Sequence, residues 1–287
     1  DKSKMGFEVE GENIRYGFQS VKGISEKTRE SLEALSKLKP ENKYDVFLYS
    51  SQVGLNIGAL TSLIYAGALG EQDRLRIALE AQSFNELTDR EQRNFYKIGE
   101  RYEWKLLESI IDVVNNKVIG DDNKLIMKED RFKTFKKKFA IYKELYQQNR
   151  TKNDLAIWWF EKKILGYSYS STLKSCFDYV GNLNNILDLD KLQRWRIVGH
   201  VDDVFVKLSA NGNKYMNLVA SDEKSQKSFL FCDSRNNTKL SDWLDAHEVN
   251  KEDVVIVSGT TSRDKTFFIE NLEVIDAKIY IKTRELK

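Results

Sequence analysis

The sequence predicts an α+β chain in which a helical N-terminal part is followed by a five-stranded β-barrel. Three observations predict it. Up to Asp190 or so, apolar residues recur at helical spacing, and Ser, Asn and Gly stand where caps belong. From Leu192 the period changes to alternating β-branched and aromatic residues. One short helix-like stretch, Lys239–His247, falls between the third and fourth of five strand-like runs.

The chain-wide numbers bound the function classes. A length of 287 residues allows roughly two domains. Apolar residues make up 41% and charged residues 31%, while the formal net charge is only +2, so a nucleic-acid surface has to come from local clustering of cations. Two cysteines, Cys176 and Cys232, form no disulfide framework and suit a reducing interior. No apolar run reaches the length of about 18 residues that spans a bilayer, and no signal-peptide pattern opens the chain. A cytoplasmic protein without membrane partners is expected. The opening Asp1-Lys2-Ser3-Lys4 lacks an initiator methionine and reads as a fragment or a processed product. With Pro40 the single proline, long helical segments meet little interruption.

Met5–Tyr16 reads as a short hairpin around Gly11-Glu12-Asn13. Val21-Lys22-Gly23-Ile24-Ser25 then forms a tight turn feeding a helix: Gly23 supplies a positive φ, Ser25 is an N-cap, and Thr28, Leu32 and Leu35 share a buried face. The free N–H groups of such a helix start favour an anion, and Lys22, Lys27 and Arg29 surround them with positive charge. This is the logic of a helix-hairpin-helix phosphate clamp, with Lys22, Gly23, Ser25, Lys27 and Arg29 as its DNA-binding residues. The same residues also fit an ordinary capped helix after a glycine turn.

Further along, Tyr44–Ser51 is apolar and of open type, and Asn56 caps a helix ended by Gly67. Arg74–Ala81 and Arg93–Val114 follow as helices. In the basic tract from Lys124 to Lys163, Arg131, Lys133 and Lys136–Lys138 interleave with Phe132, Phe135 and Phe139. That pattern fits a nucleic-acid path or an amphipathic helix with packed phenylalanines and solvated lysines. Trp158 and Trp159, in a helix ended by Gly166, read as packing anchors. The expected organisation is a helical DNA-binding region over 1–115, a basic helical linker over 116–190 and a barrel over 191–280.

Trp195–Lys207, Tyr215–Ser221, Lys227–Cys232, Asp253–Thr260 and Thr266–Val274 are the five strands, with turns at Asn211-Gly212-Asn213 and Ser262–Lys265. Three strands, a helix and two strands is the order of an OB-fold. In such a barrel single strands lie across the second and third strands and the flanking loops, which here hold Lys207, Lys214, Tyr215, Phe229, Phe231, Arg263, Lys265 and Phe267. Phe229 and Phe231 share one face and fit either the core or the binding surface. Lys207, Lys214, Tyr215, Arg263 and Lys265 are the candidate contacts to single-stranded DNA.

Catalytic chemistry is not visible. Asp121-Asp122 and Asp188/Asp190 lie in polar loops without metal-ligand companions, and His200 and His247 are far from cysteines at zinc spacing. No phosphate-binding Gly-x-x-x-x-Gly-Lys loop or Ser/His/Asp arrangement is present.

Several segments carry a resemblance. IRYGFQSVKGISEKTRESL, from Ile14, resembles the stretch after the fingers of the bacterial C-family replicative polymerases, the DNA polymerase III alpha subunits. LNIGALTSLIYAGALG resembles the next segment of that family, and FEKKILGYSYSS the helix and turn before its OB domain. The barrel follows in the family's order. Thr172-Leu173-Lys174 departs from the family's usual glycine-histidine-proline, and no clamp-binding peptide matches, Gln52–Ile57 being better explained by packing. The resemblance implies the DNA-holding C-terminal part of a DNA-directed DNA polymerase, a nucleotidyltransferase whose catalytic carboxylates and Mg²⁺ belong to a palm domain upstream of Asp1. No cofactor is expected on this chain. The implied partners are duplex and single-stranded DNA, with a sliding clamp or another replisome protein. The alternative is a scaffold whose barrel docks a replisome protein.

Overall fold

The computed structural model describes residues 6–15, 17–70, 73–149, 153–233 and 239–275. The chain divides into two compact units, the first ending at Tyr167 and the second beginning at Ser168.

The first unit opens with a two-stranded hairpin, β1 (Glu8–Glu10) and β2 (Asn13–Arg15), in the register Val9↔Ile14. Met5 and Tyr16, the ends expected for it, lie outside the described residues. After a 3-10 turn at Phe18–Ser20 come α1 (Glu26–Lys37), α2 (Lys43–Gln52) and α3 (Ile57–Tyr65). The Tyr44–Ser51 stretch is thus helical, and its start is held by Asn42, whose side chain accepts from the N–H groups of Tyr44 and Asp45. α3 ends as its glycine predicts. Gly67 takes φ +87°, its N–H donates to Ile64 O, and Ala68 N–H reaches back to Leu63 O.

Among the described residues five further α-helices follow in this unit: α4 (Arg74–Asn85), α5 (Asp89–Lys97), α6 (Leu106–Asn115), α7 (Glu129–Asn149) and α8 (Asn153–Leu165). The expected helix over Arg93–Val114 is broken between α5 and α6. Glu103 and Trp104 both have positive φ there, and the Trp104 ring turns in edge-on to Tyr44 at 5.2 Å. Gly99 makes room, since a Cβ on it would lie 2.3 Å from the Trp104 ring. Packing of the half-buried indole against Tyr44 outweighs helix continuity. The tract read as a linker over 116–190 divides between the units. Its first part is packed helix: Phe135 and Phe139 are buried, with rings 4.9 Å apart, and Trp158 is fully buried. A buried ion pair joins α4 to α8, Arg74 Nη1 to Glu161 Oε1 at 2.5 Å, and Arg74 also donates to Tyr65 O.

In the second unit five strands close into a ring in the order β3-β4-β5-β7-β6. They are β3 (Arg194–Leu208), β4 (Lys214–Ser221), β5 (Gln226–Cys232), β6 (Val254–Thr261) and β7 (Phe267–Ile275). The β5–β7 pair is parallel and the other pairs antiparallel. A helix, α9 (Leu240–Ala246), lies between β5 and β6 in sequence and puts Leu240 and Trp243 into the barrel core. This is the expected OB arrangement. β3 serves two neighbours: Arg194–His200 pair with β6 and His200–Leu208 with β4, the β4 ladder being interrupted by a bulge between Val201 and Asp203 that bends the strand. Gly259 is where the wall closes tightest, because a Cβ there would lie 1.9 Å from Phe268 O. The barrel unit starts earlier than expected. Ile186 and Leu189, ahead of β3, are fully buried members of its core.

Candidate nucleic-acid interface

Each unit presents one surface that the sequence singled out. In the helical unit Gly23 has φ +96°, a backbone conformation that strains any other residue. The turn is anchored from both sides: Val21 is buried, and Lys22 N–H donates to Ile164 O of α8 at 2.9 Å. Gly23 itself rests on α3, so that a Cβ would meet Ser62 Oγ at 3.2 Å. Ser25 opens α1, its N–H donating to Thr28 Oγ1 at 3.3 Å while the two hydroxyls lie 3.0 Å apart. The first-turn N–H groups of Glu26 and Lys27 have no intrahelical acceptor.

Lys22, Gly23, Ser25, Lys27 and Arg29 are all exposed. Arg29 differs from the two lysines in being held by its own helix. It donates to Glu33 at 2.8 Å and to Glu26 at 3.2 Å, and these bonds, that to Glu33 foremost, raise its pKa above the ordinary guanidinium value. A positive cluster therefore reduces to Lys22 and Lys27 around the turn.

The structure adds a feature that sequence reading passed over. The Gln52–Ile57 stretch is a second turn of the same form between α2 and α3: Gly54 at φ +69°, then buried Leu55, then the N-cap Asn56 accepting from Gly58 N–H at 2.7 Å. Gly23-Ile24-Ser25 and Gly54-Leu55-Asn56 share one pattern of glycine, apolar residue and cap. The signal was in the sequence, but the open type of Tyr44–Ser51 hid that a helix precedes the second turn.

In the barrel the register sorts the candidates. Met216 and Leu218 of β4 pair with Phe231 and Phe229 of β5, and all four are buried. Phe229, Phe231 and also Phe267 are therefore core, and none of them is available for stacking on a base. The opposite, outward face carries Phe205, Lys207, Tyr215, Asn217, Leu230 and Phe268, by the pairs Lys207↔Tyr215, Phe205↔Asn217, Asn217↔Leu230 and Leu230↔Phe268. Phe205, Tyr215 and Phe268 are half-buried there. Lys207 Nζ lies over the Phe205 ring, 4.6 Å from its centre. Phe205 and Phe268 were missed because only the register tells which parity faces out.

The remaining barrel candidates are not all brought to that face. Lys214 pairs with Leu208, on the opposite side of the β3–β4 hairpin from Lys207 and Tyr215. Arg263 and Lys265 are exposed in the β6–β7 turn, where Lys265 takes φ +63°. That turn precedes Phe267, which pairs with Phe229 in the middle of β5, so in this parallel pair the turn lies toward the start of β5, whereas Tyr215 pairs with Cys232 at its end. The acidic residues around the barrel are structurally engaged. Asp222 accepts from Ile186 N–H and Glu223 from Leu173 N–H, while Asp264 accepts from Thr266 and Ser262.

The paired carboxylates are engaged too. Asp122 meets Arg90 at 2.6 Å, Asp121 pairs with Lys97, Asp188 with Lys191 and Asp190 with Lys227. His200 Nδ1 lies 3.1 Å from Asp202, and His247 stacks on Trp243. Among the described residues no group of three or more His, Cys, Asp or Glu comes together as a metal site. Cys176 and Cys232 are not joined in a disulfide, and no described helix is long and apolar enough to cross a membrane.

The first turn lies inside a recognised motif. Residues 1–79 match the family described as helix-hairpin-helix motif. No curated protein matches the chain. Among solved structures, the mitochondrial single-stranded DNA binding protein Rim1 of S. cerevisiae is 13% identical, covering 29% of this chain and 92% of that one, with a TM-score of 0.24. The protein priB of Ralstonia solanacearum is 18% identical over 29% of this chain and 99% of its own, at TM-score 0.23. Yeast Stn1 and Ten1 give 19% identity, 32% of this chain and 53% of that chain, also at 0.23.

Proposed function

We propose that this chain binds DNA, gripping backbone phosphates at the Val21–Ser25 turn and meeting single strands on the outward β4–β5 face. The observation that carries it is the turn itself: Gly23 at φ +96° turns the chain into the start of α1, whose first-turn N–H groups stand beside exposed Lys22 and Lys27, inside the segment matched as helix-hairpin-helix. A β-carbon-free turn ahead of a helix start is a phosphate site that reads no sequence. On the barrel, bases would stack on Phe205, Tyr215 and Phe268 with Lys207 beside the backbone, and Lys214, Arg263 and Lys265 would add peripheral charge. The resemblance to C-family polymerases gives the finer reading, a DNA-holding part of a polymerase III alpha-like subunit whose chemistry and Mg²⁺ reside elsewhere, working with a clamp or another replisome protein. The engaged carboxylates fit a binding role rather than a two-metal centre.

The deciding experiment is duplex binding measured across salt concentrations. Phosphate contacts release counterions, so log affinity falls linearly with log salt by about 0.9 per phosphate neutralised. Lys22→Ala with Lys27→Ala is expected to weaken binding equally for unrelated sequences and to reduce that slope by about 2. An unchanged slope in the folded double variant leaves the turn a structural element and favours the scaffold reading.

A further inference from the structure

On the outward face of the barrel, Asn217 is a polar side chain in the middle of an apolar row. It stands on β4 between its cross-strand partners, Phe205 on β3 and Leu230 on β5, and all three are half-buried. Directly opposed residues on neighbouring strands hold their Cβ atoms about 5 Å apart, so a base lying against Phe205 brings its edge to Asn217. The amide is held in one orientation. Ser228, exposed on β5 and diagonal to Asn217 across the β4–β5 pair, donates its hydroxyl to Asn217 Oδ1. That bond engages the carbonyl end and leaves the Nδ2 hydrogens without an acceptor among the described residues. Neither side chain belongs to the barrel core, so closing the barrel does not require the pair.

An amide donor beside an aromatic ring suits a base that offers a carbonyl oxygen. Thymine offers O2 and O4, whereas adenine has only ring nitrogens, and its N7 stands beside its own N6 amino group. A second donor there opposes the Asn217 amide. We infer that Asn217, oriented by Ser228, reads the base on this face, its Nδ2–H donating to the ring carbonyl of the base held against Phe205. Carbonyl-bearing bases are thereby selected over adenine. The inference rests on the reading of this face as a single-strand site and gives that site its specificity.

The test titrates the full chain with oligo(dT) and oligo(dA) of equal length at one low salt concentration. Self-stacking of oligo(dA) weakens its binding to every variant alike. The quantity read is therefore the change in the dT-to-dA affinity ratio between the parent chain and a variant. Asn217→Leu keeps the size of the side chain and is expected to lower that ratio about fivefold, as loss of one neutral hydrogen bond does. Ser228→Ala is expected to lower it in part, and Ser228→Thr, which keeps the hydroxyl, to leave it near the parent value. Thermal melts should stay close to the parent in all three. An unchanged ratio in the folded Asn217→Leu chain overturns the inference, while weaker single-strand binding by Phe205→Ala keeps the face standing. A ratio that rises in Asn217→Leu means that the amide favours adenine through its carbonyl, and this too overturns the inference. If Phe205→Ala binds single strands as the parent does, the reading of the face falls and the inference with it.

Discussion

Arg29 and Lys27 stand two positions apart on the first turns of α1, and they differ in what holds them. Lys27 is an exposed cation beside a free helix start, whereas Arg29 bridges Glu26 and Glu33 on its own helix. Its positive charge is locally neutralised, so Arg29→Ala is expected to change duplex affinity less than twofold, against a clear loss for Lys27→Ala under the same low-salt titration. Exposed pairs of this kind contribute little to stability, and the melt should stay close to that of the parent. Gly23 is the opposite case. Gly23→Val places a branched side chain at φ +96° against Ser62, and a destabilisation of about 2–3 kcal/mol is expected in the urea midpoint. At this scale the sequence was legible where the chemistry is local: the glycine, the cap and the two lysines follow from neighbours within a few positions. It was not legible where a partner is distant. Nothing near Phe229 says that it pairs with Leu218 inside the barrel, and nothing near Phe268 says that it pairs with Leu230 outside it.

Helices with local caps were readable, and the corner between α5 and α6 was not, because its cause lies in α2. Trp104 leaves the helical path to reach Tyr44, and Gly99 has to be bare for the ring to pass. Gly99 has a negative φ, so no backbone strain enters and the effect of a methyl group is steric alone. Gly99→Ala is expected to lower stability by about 1–3 kcal/mol, read as a fall in the urea midpoint at unchanged m. The loop after α6 depends on a different device. Arg90 donates to Asp122 and to the carbonyls of Lys124, Leu125 and Ile126, drawing the loop against α5. The hydrogen bond from Arg90 is the main reason that the Asp122 pKa lies well below the ordinary 3.8. A depressed carboxylate pKa contributes stability that is present above 3.8 and is lost as pH falls through the lowered value. Hydrogen exchange should therefore show the Gly120 and Ile126 amides, both bonded within the loop, protected at pH 5 and progressively less so toward pH 2. Arg90→Leu should remove that protection at pH 5 already. Protection that is unchanged in the variant would mean the loop is held by its backbone bonds alone.

For the whole chain, the change of period at Leu192 located the barrel but not its beginning, because a strap of 3-10 turns has neither helical nor strand periodicity to reveal it. Residues 175–191 carry Phe177, Ile186 and Leu189, all buried, and Asn184 N–H donates to Arg196 O at 2.7 Å on the first strand of the barrel. Asp222 and Glu223, in the β4–β5 turn, hold the strap's backbone at Ile186 and Leu173. The acidic turn thus has a structural task. Two fragments test this organisation. The chain from Ser168 onward is expected to fold and melt cooperatively. The chain from Leu192 onward lacks Ile186 and Leu189, and at about 1.5–3 kcal/mol for each buried aliphatic side chain it should lose most of the stability of a small domain. In the longer fragment, Phe205→Ala and Phe268→Ala are each expected to weaken single-stranded DNA binding by about 1–3 kcal/mol, as stacking contacts do, with the melt little changed because both rings are partly exposed. Phe229→Ala should instead collapse the melt, since its ring is fully buried against Trp195 and Phe267. If the longer fragment melts cooperatively yet gives no signal with single strands at low salt, the outward aromatics serve a protein partner. Any duplex binding by the full chain would then be assigned to the proposed clamp at the Val21–Ser25 turn.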